Sequence, residues 1–243
     1  MKKIGILAAV VIAAGAAAAW YFSRNGEFLY SGTMEATEVD VSSRLTSLIS
    51  AKEVSEGEAV TRGQGLFRLD CDEFKLAADI ARRDLERAEQ LYKSGSMPRE
   101  NYDRIKYKRD DSALRVDWCA VKSPIKGRVL YTYHEPGEMV SPGTKLATLA
   151  DLSELWAYIY VPQAVATRLS VGMELAGFLP ELGMRKFPGR ISVVNEEAEF
   201  TPKNVQTRQE RTRLVFGVKV TFRNPDGILK PGTTIEVGLP QGL

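Results

Sequence analysis

Histidine is nearly absent from this chain of 243 residues, which has one His and two Cys. A zinc site needs three or four His, Cys or carboxylate ligands at close spacing, and His134 has no such company. The Met residues are scattered without local pairs, so a soft-metal cargo has no ligand set here. An excess of one charge is missing too: 33 basic residues stand against 31 acidic ones, a net charge of +2. Nucleic-acid binders concentrate Lys and Arg on one face to neutralise phosphates, whereas the two signs here are interleaved, which excludes a nucleic-acid partner. Catalytic strings are lacking as well. No G-x-S-x-G, H-E-x-x-H or phosphate-binding Gly loop is present, and Gly63-Gln64-Gly65 lacks the third glycine and the following helix of a dinucleotide fingerprint. The acidic clusters Asp70-Asp72-Glu73 and Glu196-Glu197-Glu199 are better explained by helix capping and solvated loop charge than by paired acid and base groups. These absences point away from an enzyme and from a bound cofactor. What remains is the composition of a folded protein, 44% hydrophobic and 26% charged, long enough for one or two domains.

Ile4 to Phe22 is an unbroken apolar run. As a helix it is about 28 Å long, enough to cross a hydrocarbon core of about 30 Å. Lys2 and Lys3 precede it and only Arg24 follows closely, so the positive-inside bias keeps the N-terminus in the cytoplasm and sends the remainder across the membrane. Trp20 and Tyr21 suit the far interface. A cleaved signal peptide is the competing reading, with Ala17-Ala18-Ala19 as its small-residue site. Either way the body lies outside the cytoplasm.

Sliding the chain against itself by 80 residues aligns Val41–Leu69 with Val121–Leu149 without a gap. The clearest stretch sets Gly57-Glu58-Ala59-Val60 and Gly63-Gln64-Gly65-Leu66 against Gly137-Glu138-Met139-Val140 and Gly143-Thr144-Lys145-Leu146. Each unit reads as short strands joined by tight turns, and neither can bury its apolar face alone. The halves are therefore expected to pack as one sandwich and to extrude the segment between them. That segment reads as a helical hairpin. Asp70 followed by Glu73 fits a capping box, and Phe74, Ala78, Ala81, Leu85, Ala88 and Tyr92 form a heptad seam. Gly95 ends the first helix, and Pro98 opens a return helix over roughly Arg99 to Asp117, with Tyr102, Ile105, Ser112 and Val116 on the seam and Arg109 among them. A projecting hairpin is a natural surface for another protein, although an exposed amphipathic pair without a partner is the plainer reading.

Beyond Asp151 the repeat stops. Leu155–Val161, Gly172–Phe178, Lys186–Val194, Leu214–Phe222 and Thr233–Leu239 read as strands, with a helical turn near Gln163–Leu169. Strict alternation puts Leu214, Phe216, Val218, Val220 and Phe222 on one face, and five or six such strands suggest a small barrel.

The string Cys119-Ala120-Val121-Lys122-Ser123-Pro124-Ile125-Lys126-Gly127-Arg128-Val129 resembles the V-x-[AS]-P-x-x-G-x-V of the split biotinyl/lipoyl-like domain in HlyD-type membrane fusion proteins, also called periplasmic adaptor proteins. The first half departs from it, because Ser47 stands where these proteins commonly have Gly, a change read as touching a turn. Lys230-Pro231-Gly232-Thr233-Thr234 is similar to the L-x-P-G-M before the last barrel strand of these adaptors. Phe200-Thr201-Pro202-Lys203-Asn204-Val205-Gln206-Thr207-Arg208-Gln209-Glu210-Arg211 is similar to a loop of adaptors that work with ABC-type exporters; taken by itself it is a long polar barrel connection. In swinging-arm carriers the modified Lys sits on a hairpin between the halves, where this chain has its insertion. Lys52, Lys122, Lys126 and Lys145 lie elsewhere, so covalent biotin or lipoate is not expected.

The resemblance implies a mainly β fold with an α-helical hairpin. Its parts would be a transmembrane signal-anchor (1–23), a linker or first barrel-side strand (24–40), a split lipoyl-like sandwich (41–70 and 119–150), a coiled-coil hairpin (71–118) and a β-barrel (151–243). Adaptors of tripartite pumps carry R-x3-L-x6-S at the hairpin tip. Arg87 and Leu91 match, the third position is Pro98, and Ser96 lies two residues earlier. Taken by itself, Arg87 reads as a solvated helix charge. Cys71 and Cys119 sit where the hairpin leaves and rejoins the sandwich; an oxidising compartment permits a disulfide, and a pair of unrelated buried thiols is the alternative. The short tail after the last strand leads us to expect that the membrane-proximal domain of larger adaptors is absent or vestigial. By resemblance the protein is a single-pass inner-membrane adaptor with its bulk in the periplasm. Its partners would be an inner-membrane transporter, ABC-type favoured, a TolC-type outer-membrane channel, and copies of itself in a six-membered ring. The alternatives are a biotin or lipoyl carrier subunit and a free-standing periplasmic interaction protein.

Overall fold

The computed structural model describes residues 28–200 and 214–239. The expected signal-anchor and nearly all of the 200–211 loop lie outside the described residues. No helix among the described residues is long and apolar enough to cross a membrane. Thirteen strands form among the described residues: β1 Leu29–Ser42, β2 Ser47–Lys52, β3 Ala59–Val60, β4 Gly65–Leu69, β5 Ala120–Lys122, β6 Gly127–Thr132, β7 Met139–Val140, β8 Lys145–Pro162, β9 Glu174–Leu179, β10 Arg185–Val194, β11 Glu199–Phe200, β12 Leu214–Arg223 and β13 Thr234–Gly238. The helices are α1 Asp72–Lys93, α2 Arg99–Trp118 and the short α3 Gln163–Ala166. The chain divides into two compact units, Ala36–Ser153 and the remainder. The expected boundaries at 40 and 150 both fall inside strands, β1 and β8, each of which contributes residues to both units.

In the unit Ala36–Ser153 the repeat is interleaved rather than merely stacked. One sheet runs β1-β8-β6-β3 and the other β5-β4-β2-β7, so each sheet has two strands from each half. The turns are exchanged in the same way. Gly57 N–H donates to Val129 O (2.8 Å) and Gly137 N–H to Ile49 O (2.8 Å); Gly63 N–H donates to Ser123 O (2.7 Å) and Gly143 N–H to Ser43 O (2.9 Å). Each partner in the second bond of a pair is the repeat equivalent of its counterpart in the first. The core obeys the same relation, with Val60 and Val140, Leu66 and Leu146, and Leu69 and Leu149 all buried. Each such side chain contributes about 1.5–3 kcal/mol on full burial, and both halves are needed to bury it.

Ser47 is not in a turn; it begins β2 and is buried. Its repeat equivalent Gly127 begins β6, where an added Cβ would meet Ala150 O at 2.4 Å. The repeat equivalent of Ala150 is Asp70, and Ser47 Oγ donates to Asp70 O at 2.7 Å. One half thus meets the incoming carbonyl with no side chain, and the other meets it with a hydroxyl donor. Ser47→Ala leaves that carbonyl short of a donor and lowers stability by about 1 kcal/mol in urea unfolding, while Gly127→Ala costs more, about 2–3 kcal/mol, because a backbone carbonyl cannot yield. Equal and negligible effects would refute this account of the departure.

The second unit is a closed barrel. Its strands follow the order β12-β10-β9-β13-β1-β8, and β8 pairs back to β12 from Glu154↔Arg223 to Pro162↔Val215. Leu155, Ile159, Ile191, Val218, Val220, Phe222, Ile235 and Val237 are buried. This matches the alternation read from 214–222 for its last three members, whereas Leu214 at the strand start is exposed. The Lys230–Thr234 segment is a turn: Gly232 takes a φ of 85°, its N–H donates to Met34 O at 2.8 Å, and Met34 N–H donates to Thr233 O at 2.8 Å.

Candidate functional site

The hairpin grows out of the sandwich at a clamped base. Cys71 and Cys119 are joined by a disulfide with their Cα atoms 5.9 Å apart, and both are buried in the sandwich core. Leu69 N–H donates to Cys119 O at 2.8 Å, tying the two chain segments just below the bridge. The expected capping box does not form. Cys71, not Asp70, is the N-cap of α1 and makes no side-chain cap; Asp70 Oδ1 accepts only from Asp72 N–H, at 3.2 Å. The reason is that Asp70 still belongs to the sandwich: its N–H donates to Leu48 O at 2.8 Å, and its carbonyl holds Ser47. Asp72 and Glu73 nonetheless place negative charge in the first turn, where the helix dipole favours it.

The seam forms as its spacing predicts up to Ala88, while Tyr92 at its end is exposed. Ala81, Leu85 and Ala88 are buried on α1 and Ser112 on α2, with Phe74, Ala78, Tyr102, Ile105 and Val116 half-buried around them. Small Ala and Ser side chains let the helices approach closely. Arg109 lies on this seam; its Nε is buried without a hydrogen bond, with Asp110 Oδ1 3.1 Å away. Charged residues cover the outer surface. Asp79 is held below the usual carboxylate range, first by the hydrogen bond from Arg82 (2.7 Å) and then by the charges of Arg83 and Arg82, while Arg82 is raised in turn by Asp79 and Glu86.

At the tip, Ser94 caps α1 and Gly95 follows with a φ of 72°. Gly95 N–H donates to Tyr92 O (3.0 Å) and Ser96 N–H to Leu91 O (2.8 Å), the paired bonds of a Schellman ending. Pro98, in extended conformation, is the N-cap of α2. Tyr92 and Tyr102 stack across the two helices with ring centres 4.8 Å apart and planes 16° from parallel. Of the expected tip residues, Arg87 and Leu91 both lie exposed on α1, with Arg87 paired to Asp84. Ser96 sits in the turn with its Oγ 3.0 Å from that of Ser94, so a hydroxyl pair occupies the tip while Pro98 has none. Arg87 and Leu91 also line an open groove of about 560 Å³ with Met97, Arg104 and Tyr107. Tyr107 was not singled out from the sequence; an exposed aromatic among the charges of the return helix was the available signal.

Among the described residues no three His, Cys, Asp or Glu side chains gather to hold a metal. His134 Nδ1 lies 2.6 Å from Glu138 in an exposed turn, where it lowers the carboxyl pKa of Glu138. Lys122 pairs with Asp117 (3.3 Å), Lys145 with Asp40 (2.8 Å) and Lys52 with Glu135. The place of a carrier lysine between the halves is taken by α1 and α2.

Residues 37–152 match the family described as RND MFP, barrel-sandwich hybrid domain. A UPF0194 membrane protein of Acidithiobacillus ferridurans is 36% identical over 118 residues, which cover 49% of this chain but only 35% of that relative. A UPF0194 membrane protein of Citrobacter koseri is 23% identical over 98% of this chain and 97% of its own length. Among solved structures, a MacA-MexA chimera bearing the Pseudomonas aeruginosa MexA α-hairpin shares the fold at a TM-score of 0.65, 19% identity, 88% of this chain and 82% of that one. The membrane fusion protein Spr0693 of Streptococcus pneumoniae does so at 0.61, with 20% identity, 88% of this chain and 98% of the other. Residues 37–152 are thus similar to the barrel-sandwich hybrid domain of RND membrane fusion proteins, and the interleaved sandwich, its extruded hairpin and the barrel share the fold of these two solved structures.

Proposed function

We propose that the protein is an inner-membrane-anchored periplasmic adaptor that links an inner-membrane transporter, ABC-type favoured, to a TolC-type outer-membrane channel for export of small molecules. The observation that carries this reading is the hairpin: a paired helix arm, cross-linked at its base, whose tip presents Arg87, Leu91 and the Ser96 hydroxyl to solvent. Its work is connective. The arm reaches about 30 Å from the sandwich, α1 being 22 residues long. No bond is made or broken by the adaptor itself, and copies of the chain assemble as a ring around the exit path.

Leu91→Asp tests the tip. It puts a charge on an exposed position outside the seam, so folding is retained and circular dichroism is unchanged, while capture of the channel in pull-downs falls by roughly tenfold, as for loss of an interface anchor. Undiminished capture refutes docking through this face. Mass spectrometry of the purified chain checks the carrier alternative, since a biotin or lipoyl mass on any lysine overturns the adaptor reading.

A further inference from the structure

Four exposed apolar side chains stand at one end of the barrel. Strand register shows that they share it. Leu29 at the start of β1 pairs with Gly238 at the end of β13, and Gly238 pairs with Ala176 at the start of β9. Glu174 faces Arg190 on β10, Phe200 on β11 faces Leu214 on β12, and Val215 faces Pro162 at the end of β8. Val171 lies in the turn that enters β9, where Gly172 N–H donates to Ile191 O at 2.8 Å. Phe28, Val171, Phe200 and Leu214 therefore stand on one rim, and they are 73%, 67%, 71% and 56% exposed. Phe28 is braced edge-on against Tyr30, with ring centres 4.8 Å apart. Apolar side chains gathered in this way on a solvated rim mark an interaction surface.

The chain itself names the occupant. The three stretches outside the described residues all attach at this end, through Phe28, through Phe200 with Leu214, and through Leu239. The first contains the apolar run Ile4–Phe22, which ends six residues before Phe28. Six residues span at most about 20 Å when fully extended, so an anchor in the bilayer tethers this rim within that distance of the hydrocarbon. Among the described residues at this end, Glu174, Glu196 and Glu197 stand along with Arg168 and Arg190, so neither sign of charge dominates there. We propose that the rim of Phe28, Val171, Phe200 and Leu214 rests in the headgroup layer of the membrane, making the barrel a second, apolar contact with lipid beside the anchor. This rests on the anchor reading above. On that reading the anchor holds the protein to the membrane, and the rim fixes the barrel's tilt on it.

Both native cysteines are in the disulfide, so one introduced Cys carries a fluorescent probe without competition. Full-length Phe200→Cys, Leu214→Cys and, at the other end of the barrel, Lys230→Cys are labelled and reconstituted into zwitterionic phosphatidylcholine vesicles with or without bromine on the acyl chains. The protein floats with the vesicles, and brominated lipid quenches the probes at 200 and 214 roughly threefold more than the probe at 230, with little change when anionic lipid is added. Flotation with equal, weak quenching at all three positions overturns the rim proposal and leaves the anchor intact. Failure to float overturns both. Shielding at 200 and 214 that develops only when an inner-membrane transporter is co-reconstituted also overturns it, and assigns the rim to a protein partner instead.

Discussion

Replacing Cys71 and Cys119 together by alanine lowers the stability of the sandwich unit by about 4 kcal/mol, the chain-entropy value for a loop closed across 48 residues. The bridge encloses the whole hairpin, so without it the unfolded chain regains the freedom of the entire excursion. The folded state loses little in exchange, because both side chains are buried and alanine fills most of the space. For a unit of this size the loss corresponds to a melting temperature lower by roughly 10–15 °C. Reduction of the native protein with dithiothreitol gives the same shift, since it removes the same constraint. Calorimetry of the oxidised, reduced and double-alanine forms checks both statements. If all three melt together, the bridge does not act through the unfolded chain.

Phe222→Ala, in the barrel, costs about 3–5 kcal/mol, as expected for deleting a fully buried aromatic. Its ring lies across two glycines. Phe222 faces Gly189 across the β10–β12 pair, and a Cβ added at Gly189 would stand 2.5 Å from its Cε1. A Cβ at Gly177, on β9, would meet the same atom at 2.5 Å and Ile235 Cδ1 at 2.7 Å. Gly177→Ala alone therefore costs about 1–3 kcal/mol by overpacking. In the double variant the new methyl enters space the ring has left, so the combined loss falls short of the sum by about 1 kcal/mol or more. Strict additivity, read from denaturant unfolding of the four proteins in the cycle, would show that ring and glycines are not in contact.

These two sites differ in how far the sequence discloses them. The cysteines are readable because their positions at the ends of an insertion survive translation into space. Gly177 and Gly189 are not, because a glycine in a strand reveals nothing of which ring approaches it from a strand more than thirty residues later. The repeat is readable for a physical reason: both halves must present the same glycine turns and buried leucines to each other. What an alignment cannot show is that the edge strands are exchanged, since stacked and interleaved halves have the same spacing. Ser47 belongs with this second kind. Its departure from Gly looks like a turn substitution until its hydroxyl is seen on the Asp70 carbonyl. At the tip, the seam positions and the ending at Gly95 follow from helical period and chirality, while the stacking of Tyr92 on Tyr102 depends on how the two helices meet.

The central claim is that this chain joins a transporter to a channel, and photo-cross-linking in living cells tests it most directly. A photoreactive residue at Leu91 and another on the barrel, at the exposed rim position Glu174, are activated in the full-length protein, and the trapped partners are identified by mass. The adaptor account predicts an outer-membrane channel from the probe at 91 and an inner-membrane transporter from the barrel probe. Recovery of neither, with the protein present in the membrane at normal levels, would contradict it and leave a free-standing interaction protein.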